Sequence, residues 1–230
     1  MSLTYPCFLV NYKTYEGTAG TDGLELATTI DAVRQQTGAS FAVAPQTPDI
    51  YRIAEATDLP VVAQSVDSTA AGRGNGNISL ASVAEAGASG ALINHPESQD
   101  AFGDVGDIVA GCAEHGLESI VCVDSVELGR AAVAFDPDCL LFENPADIAS
   151  DRALARTDPE RVEAFVSMVQ AERPDTRVLL GGGITTAADV AASLECGADA
   201  AGAASAFVDA SDRSAWLSEI ATALTEAEPR

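Results

Sequence analysis

The chain has 230 residues, 47% of them hydrophobic, and a formal net charge of −23 at pH 7. That length suits one domain with a sizeable core, and the apolar content excludes an intrinsically disordered chain. The charge disfavours nucleic acid or an anionic membrane surface as a partner, and no apolar run reaches the roughly 18 residues of a membrane-spanning helix.

The N-terminus, MSLTYPCFLV, has no basic segment before its apolar stretch, so it reads as a strand rather than a secretory signal. In chain order the sequence predicts strand Pro6–Asn11, helix Gly23–Gln36, then strands Ser40–Ala44 and Pro60–Gln64. A glycine-rich loop, Ala71–Asn77, follows. Strand Gly90–Asn94, helix Asp107–Glu114, and strands Ser119–Val123 and Cys139–Glu143 come next. Helix Pro159–Glu172 is announced by Asp158 as a cap and proline at its first position. Strand Arg177–Leu180, helix Thr186–Glu195, strand Asp199–Ala203 and helix Asp212–Ala227 complete the pattern. Gly38, Gly87, Gly116 and Gly197 stand where helices should stop.

The strand candidates are continuously apolar, which marks strands buried on both faces of a parallel sheet. Eight strands alternating with helices, with no linker or composition shift, predict an α/β protein: a single (β/α)8 barrel domain spanning 1–230. An open doubly wound sheet needs the same alternation; the strand count favours the barrel.

Eleven of the 12 basic residues are arginine, so Lys13 is the only lysine, against 35 acidic residues. Such a balance suits a very salty cytoplasm, where molar salt shortens the Debye length to about 3 Å and acidic self-repulsion becomes tolerable. A surviving lysine in that background points to a task arginine cannot perform. The five cysteines (7, 112, 122, 139 and 196) lack metal or redox spacing and read as buried free thiols. No metal and no cofactor is expected.

Barrel catalysts sit at the C-terminal ends of strands. That rule selects Asn11 and Lys13 after the first strand, His95 and Glu97 after the fourth, and Glu143 at the end of the sixth. A lone strand-end histidine or glutamate is usually a solvated or capping group; the lone lysine, one of two histidines and a glutamate on one barrel face form a less ordinary combination. Gly181-Gly182-Gly183, running into a helix near Thr186, suits a phosphate cradle, with Ala204 and Ser205 after strand eight completing it. The spacing fits neither a P-loop nor a dinucleotide fingerprint.

These motifs together, Asn11-Tyr12-Lys13, His95 with Glu97, Glu143-Asn144-Pro145-Ala146, Gly181-Gly182-Gly183-Ile184 and Ala204-Ser205, resemble the triosephosphate isomerase family, and the short length resembles its archaeal branch. The resemblance implies interconversion of dihydroxyacetone phosphate and D-glyceraldehyde 3-phosphate. It implies Glu143 as the base, a neutral His95 polarising the carbonyl, and Lys13 with Asn11 stabilising the enediolate. It further implies phosphate binding near Ile148, Gly183, Ala204 and Ser205, with Glu97 supporting Lys13. A small phosphorylated triose is the implied partner, and a cytoplasmic homo-oligomer, a tetramer in the archaeal branch, the implied assembly. Pro96 replaces a common serine, removing a hydroxyl and a backbone donor; Asn144 replaces a common proline, which predicts a looser hinge; the lid, Pro145–Arg156, is unusually charged. A different phosphate-binding barrel enzyme and a non-catalytic phosphate-binding barrel are the other readings. Trp216 and Met168 are expected to pack, and His115 to end a helix.

Overall fold

The computed structural model describes residues 2–69, 72–148 and 150–226. Eight strands, β1 (Cys7–Asn11), β2 (Ser40–Ala44), β3 (Val62–Ala63), β4 (Gly90–Ile93), β5 (Glu118–Val123), β6 (Cys139–Phe142), β7 (Arg177–Leu180) and β8 (Ala200–Ala203), form one sheet in the order β2-β1-β8-β7-β6-β5-β4-β3. Each pairing is parallel. A parallel bridge between Val43 and Val61, with Val43 N–H donating to the Pro60 carbonyl at 3.0 Å, brings the two ends together. The result is the expected (β/α)8 barrel.

The helices are α1 (Gly20–Thr37), α2 (Ile50–Ala56), α3 (Leu80–Glu85), α4 (Phe102–His115), α5 (Val126–Val133), α6 (Leu154–Thr157), α7 (Pro159–Glu172), α8 (Ala187–Glu195), α9 (Ser205–Val208) and α10 (Arg213–Glu226). Strands β2 and β7 and helix α7 have the predicted bounds. Elsewhere the ends move: α4 starts five residues before the predicted Asp107, and α1 three before Gly23. The predicted end of the last helix, Ala227, and the first residue of the glycine-rich loop, Ala71, lie outside the described residues. Strand β3 keeps two of five predicted residues, because Pro60 has no N–H to give and the side chain of Gln64 takes over, donating to the carbonyls of Ala44 (2.9 Å) and Lys13 (3.1 Å). The four helix-ending glycines, 38, 87, 116 and 197, all have left-handed φ (73°, 90°, 68° and 92°).

Alternation along the strands divides the core into two layers. Cys7, Leu9, Ala42, Ala44, Val62, Leu92, Ile120, Cys122, Cys139, Leu141, Leu179 and Ala200 fill the barrel interior. Their neighbours, such as Phe8, Val10, Phe41, Val121, Leu140, Phe142 and Leu180, form the layer under the helices. In that outer layer Phe142 stacks on Phe165 of α7 with centroids 4.1 Å apart. Four cysteines are buried and Cys196 is partly buried; all are free thiols. Met168 is buried, as expected of a packing residue, and His115 ends α4. No helix among the described residues is long and apolar enough to cross a membrane.

Candidate active site

The inward register of the strands delivers the site. Residues 7, 9 and 11 of β1 share the barrel face, as do 139, 141 and 143 at β6, so Leu9 and Leu141 form the floor beneath Asn11 and Glu143. Lys13 keeps that parity beyond the strand end and lines the same cavity. Its φ of 44° and the bond from its N–H to Asn11 Oδ1 (2.9 Å) turn the chain, while Tyr12 packs into the outer core. Asn94 after β4 is also left-handed, and there the effect is different: Leu92 faces inward, so the φ of 59° breaks the alternation and lets His95 face the cavity. Left-handed backbone at two non-glycine residues beside site groups is a local cost that tertiary contacts hold in place.

One cavity collects Asn11, Lys13, His95, Glu143, Ile148, Gly183, Ala204 and Ser205. It is also lined by Tyr15, Ser150, Leu179 and Gly202, which sequence reasoning did not select. Leu179 and Gly202 carried a usable signal, since each lies two residues before a selected strand-end position. Tyr15 and Ser150 carried none.

The polar geometry is specific. Glu97 N–H donates to His95 Nδ1 at 3.1 Å, which places the imidazole proton on Nε2. Nε2 lies 3.4 Å from Glu143 Oε1. The separation is within electrostatic reach without being an aligned hydrogen bond, and Oε1 has no other partner among the described residues. Burial pushes the His95 pKa down, and the nearby Lys13 charge pushes it the same way, so the imidazole is neutral. Burial pushes Glu143 up to about 7, with Lys13 opposing and Glu97 adding to the rise. Lys13 Nζ reaches Glu97 Oε1 at 3.0 Å. Glu97 therefore bonds both cavity groups, with its N–H to the histidine and its carboxylate to the lysine. The backbone donor lost at Pro96 is not the one His95 uses.

The glycine run serves close approach. A Cβ on Gly181 would stand 2.7 Å from Glu143 Oε2. One on Gly183, whose φ is 69°, would stand 2.4 Å from the Arg152 carbonyl carbon and oxygen. The expected helix near Thr186 is present, with Thr186 as its cap. Helix α8 starts at Ala187, and the N–H groups of Thr185 and Thr186 are taken by Asp189 Oδ2 at 3.0 and 2.9 Å in a capping box. The two N–H groups just before the helix are thus taken internally, and the glycine loop itself lines the cavity. Trp216 does more than pack: its indole N–H donates to the Thr185 carbonyl at 2.9 Å.

The turn after Glu143 also differs from expectation. Asn144 caps the turn Pro145–Asp147, accepting from Ala146 N–H at 3.2 Å, and donates from Nδ2 to Asp147 at 2.9 Å. A side chain expected to loosen the hinge instead braces it. Together these groups place a buried carboxylate, a neutral N–H donor and an ammonium around one small cavity, an arrangement able to move a proton next to a carbonyl.

The family model described as triosephosphate isomerase matches residues 6–224. Among similar proteins, the triosephosphate isomerase of Methanothermus fervidus is 36% identical over 94% of this chain and 98% of its own length. The triosephosphate isomerases of Methanosarcina acetivorans (36%) and Methanosarcina barkeri (37%) are each matched over 94% of this chain and 97% of their own lengths. Matched from β1 to the last helix, and sharing more than a third of its residues with these relatives, the chain belongs to the triosephosphate isomerase family.

Proposed function

We propose that this isomerase interconverts dihydroxyacetone phosphate and D-glyceraldehyde 3-phosphate with Glu143 as its base. The observation that carries the assignment is the Glu143 carboxylate, which is buried, lacks a hydrogen bond at Oε1 among the described residues, and is raised to about 7. A base with a pKa near the working pH combines a usable ionised fraction with a strong pull on the proton. Ionised Glu143 removes a proton from the carbon next to the substrate carbonyl, and the electron pair moves to the carbonyl oxygen. Neutral His95 donates a hydrogen bond to that oxygen through Nε2–H and relays a proton between the two substrate oxygens. Protonated Glu143 then returns its proton to the neighbouring carbon.

Lys13 stabilises the enediolate charge, and Asn11 contributes from its place on the same rim. Low dielectric makes such fixed charge worth more than in water. Glu97 supports both partners. The phosphate lies against Ile148, Gly183, Ala204 and Ser205, away from the base. The whole described chain acts as one domain; a chain with a second folding unit would give more than one unfolding transition.

The composition supports a salt-rich cytoplasm as the setting, with 35 acidic residues against one lysine. Phe102 on α4 is 46% exposed beside Phe135, which supports a covered helical face and an oligomer, a tetramer in this reading. Light scattering in molar KCl reads that mass directly.

A coupled assay for triose phosphate turnover, run in deuterated water, tests the proposal. The expected result is turnover with solvent deuterium entering at the carbon beside the carbonyl. Binding of the triose phosphate without turnover or exchange would instead fit a non-catalytic barrel or a different phosphate-binding enzyme.

A further inference from the structure

The segment after Glu143 contains a buried acid that the reaction does not use. Asp147 is 3% exposed. Its Oδ2 accepts from Asn144 Nδ2 at 2.9 Å, and its Oδ1 lies 3.8 Å from Arg152 Nε. Its backbone is engaged as well: its N–H donates to the Asn144 carbonyl at 2.9 Å, and its carbonyl accepts from the N–H (3.1 Å) and hydroxyl (2.8 Å) of Ser150.

Each neighbour leads to a different part of the site. Asn144 is bonded in sequence to Glu143. Ile148 and Ser150 line the cavity. The Arg152 backbone packs so tightly on Gly183 that no Cβ fits between them.

Withdrawing a carboxylate from water costs free energy that one neutral amide and one cation at 3.8 Å recover poorly. An apolar side chain would stabilise the turn at least as well. What the carboxylate adds is direction, because Asn144 must present its amide toward Asp147 while its Oδ1 takes Ala146 N–H. That pins the residue following the base in both orientation and register.

We propose that Asp147, acting through Asn144, is a positioning residue that holds Glu143 at its reactive geometry. The inference rests on Glu143 being the base. Neither side chain lines the cavity, so the effect falls on the chemical step rather than on substrate binding. Arg152 places an opposing charge beside Asp147 and, through its backbone packed on Gly183, ties the clasp to the glycine wall.

The test uses the intact protein in four variants. Asp147→Ala removes the acceptor, Asn144→Ala the donor, and their combination both; Asp147→Asn keeps an acceptor for Asn144. Sub-ångström misplacement of a base costs less than the roughly 100-fold of a full 1 Å, so each alanine variant is expected to lose about tenfold in kcat with KM within about twofold. The double variant should lose no more than the worse single, since the pair acts as a unit. Asp147→Asn should recover kcat to within about threefold of the parent, because it restores the acceptor.

Parental kcat in both alanine variants overturns the proposal. So does a raised KM at unchanged kcat, which would assign Asp147 to the substrate-binding wall, and so does a double variant whose losses multiply. If Asp147→Ala does not fold, Asn144→Ala and Asp147→Asn decide between the same outcomes. Glu143→Asp is measured alongside: full activity there removes the base assignment, whereas a slow Glu143→Asp with unaffected clasp variants removes only the positioning role.

Discussion

Glu143 makes catalysis and stability pull in opposite directions, and replacing it by glutamine exposes the conflict. The carboxylate is 5% exposed, and burial raises it from 4.5 to about 7. A raised pKa means that the folded protein holds this proton more tightly than the unfolded chain does. The associated stability is fully present below the unfolded pKa of 4.5 and is lost as pH rises through about 7. A rise of about 2.5 units at about 1.4 kcal/mol each gives about 3 kcal/mol lost by pH 8, and almost none of it at pH 4. Glu143→Gln has no proton to release, so it should be more stable than the parent at pH 8 by about 3 kcal/mol, and equal to it near pH 4. For a chain of this length that difference corresponds to roughly 6–12 °C in Tm.

The assay is paired thermal or urea unfolding of parent and Glu143→Gln at a series of pH values, with salt and protein concentration fixed. Comparing the two at each pH cancels the other titrating groups. Isomerase activity should be nearly abolished throughout. A stability gain that does not change with pH, or no gain at pH 8, refutes the claim that burial of the charge sets the Glu143 pKa.

The same shift predicts that kcat/KM falls as pH drops below about 7, since the base must be ionised, and a rate profile reads the midpoint directly. Lys13→Arg should lose most activity at near-parental stability, because a planar fork cannot place one compact charge at the Lys13 position; full activity would detach the lone lysine from the chemistry. Gly183→Ala meets the Arg152 backbone at 2.4 Å with φ at 69°, so it should lower the unfolding free energy read from urea titration by more than the ~1–2 kcal/mol of left-handed backbone alone and raise KM. Raising KCl from about 0.01 M, where the Debye length is about 30 Å, to about 1 M should increase both Tm and kcat/KM; a flat or falling response with unchanged assembly would remove the salt-adapted reading.

Much of this site was legible because strand ends are chemically abrupt. CFLVN stops at Asn11 and CLLFE at Glu143, so an apolar run followed by a polar group marks both the strand and the rim that lines the cavity. His95 was found by the same rule, but its orientation was not, since that depends on the left-handed turn at Asn94 and on Glu97 N–H reaching back to Nδ1. The short helices α3 and α5 escaped the periodicity argument. Their serine caps, Ser79 accepting from Ser82 N–H and Ser125 from Leu128 N–H, were readable signals, but helices of six and eight residues are too short for a period to register. Asn144 shows a different limit. A residue that loosens a hinge by its backbone can brace it by its side chain, and only the position of Asp147 three residues on decides which. Asp189 is similar: the sequence marks a helix start there, while only the hydrogen bonds show that its carboxylate takes the N–H groups of Thr185 and Thr186.

The bond from the Trp216 indole to the Thr185 carbonyl gives the protein a built-in optical probe. Trp216 is the chain's single tryptophan, so its emission, excited beyond the absorption of the four tyrosines, is a one-residue signal. Its ring lies 6.2 Å from that of Phe207, two residues beyond Ser205, while its N–H holds the loop two residues beyond Gly183. The fluorophore is therefore in contact with the continuation of both walls of the cavity. Seating an anion against either wall alters the polarity or hydrogen bonding at the indole, and the emission maximum moves with it. Stopped-flow fluorescence on the unlabelled protein can thus time ligand arrival separately from turnover.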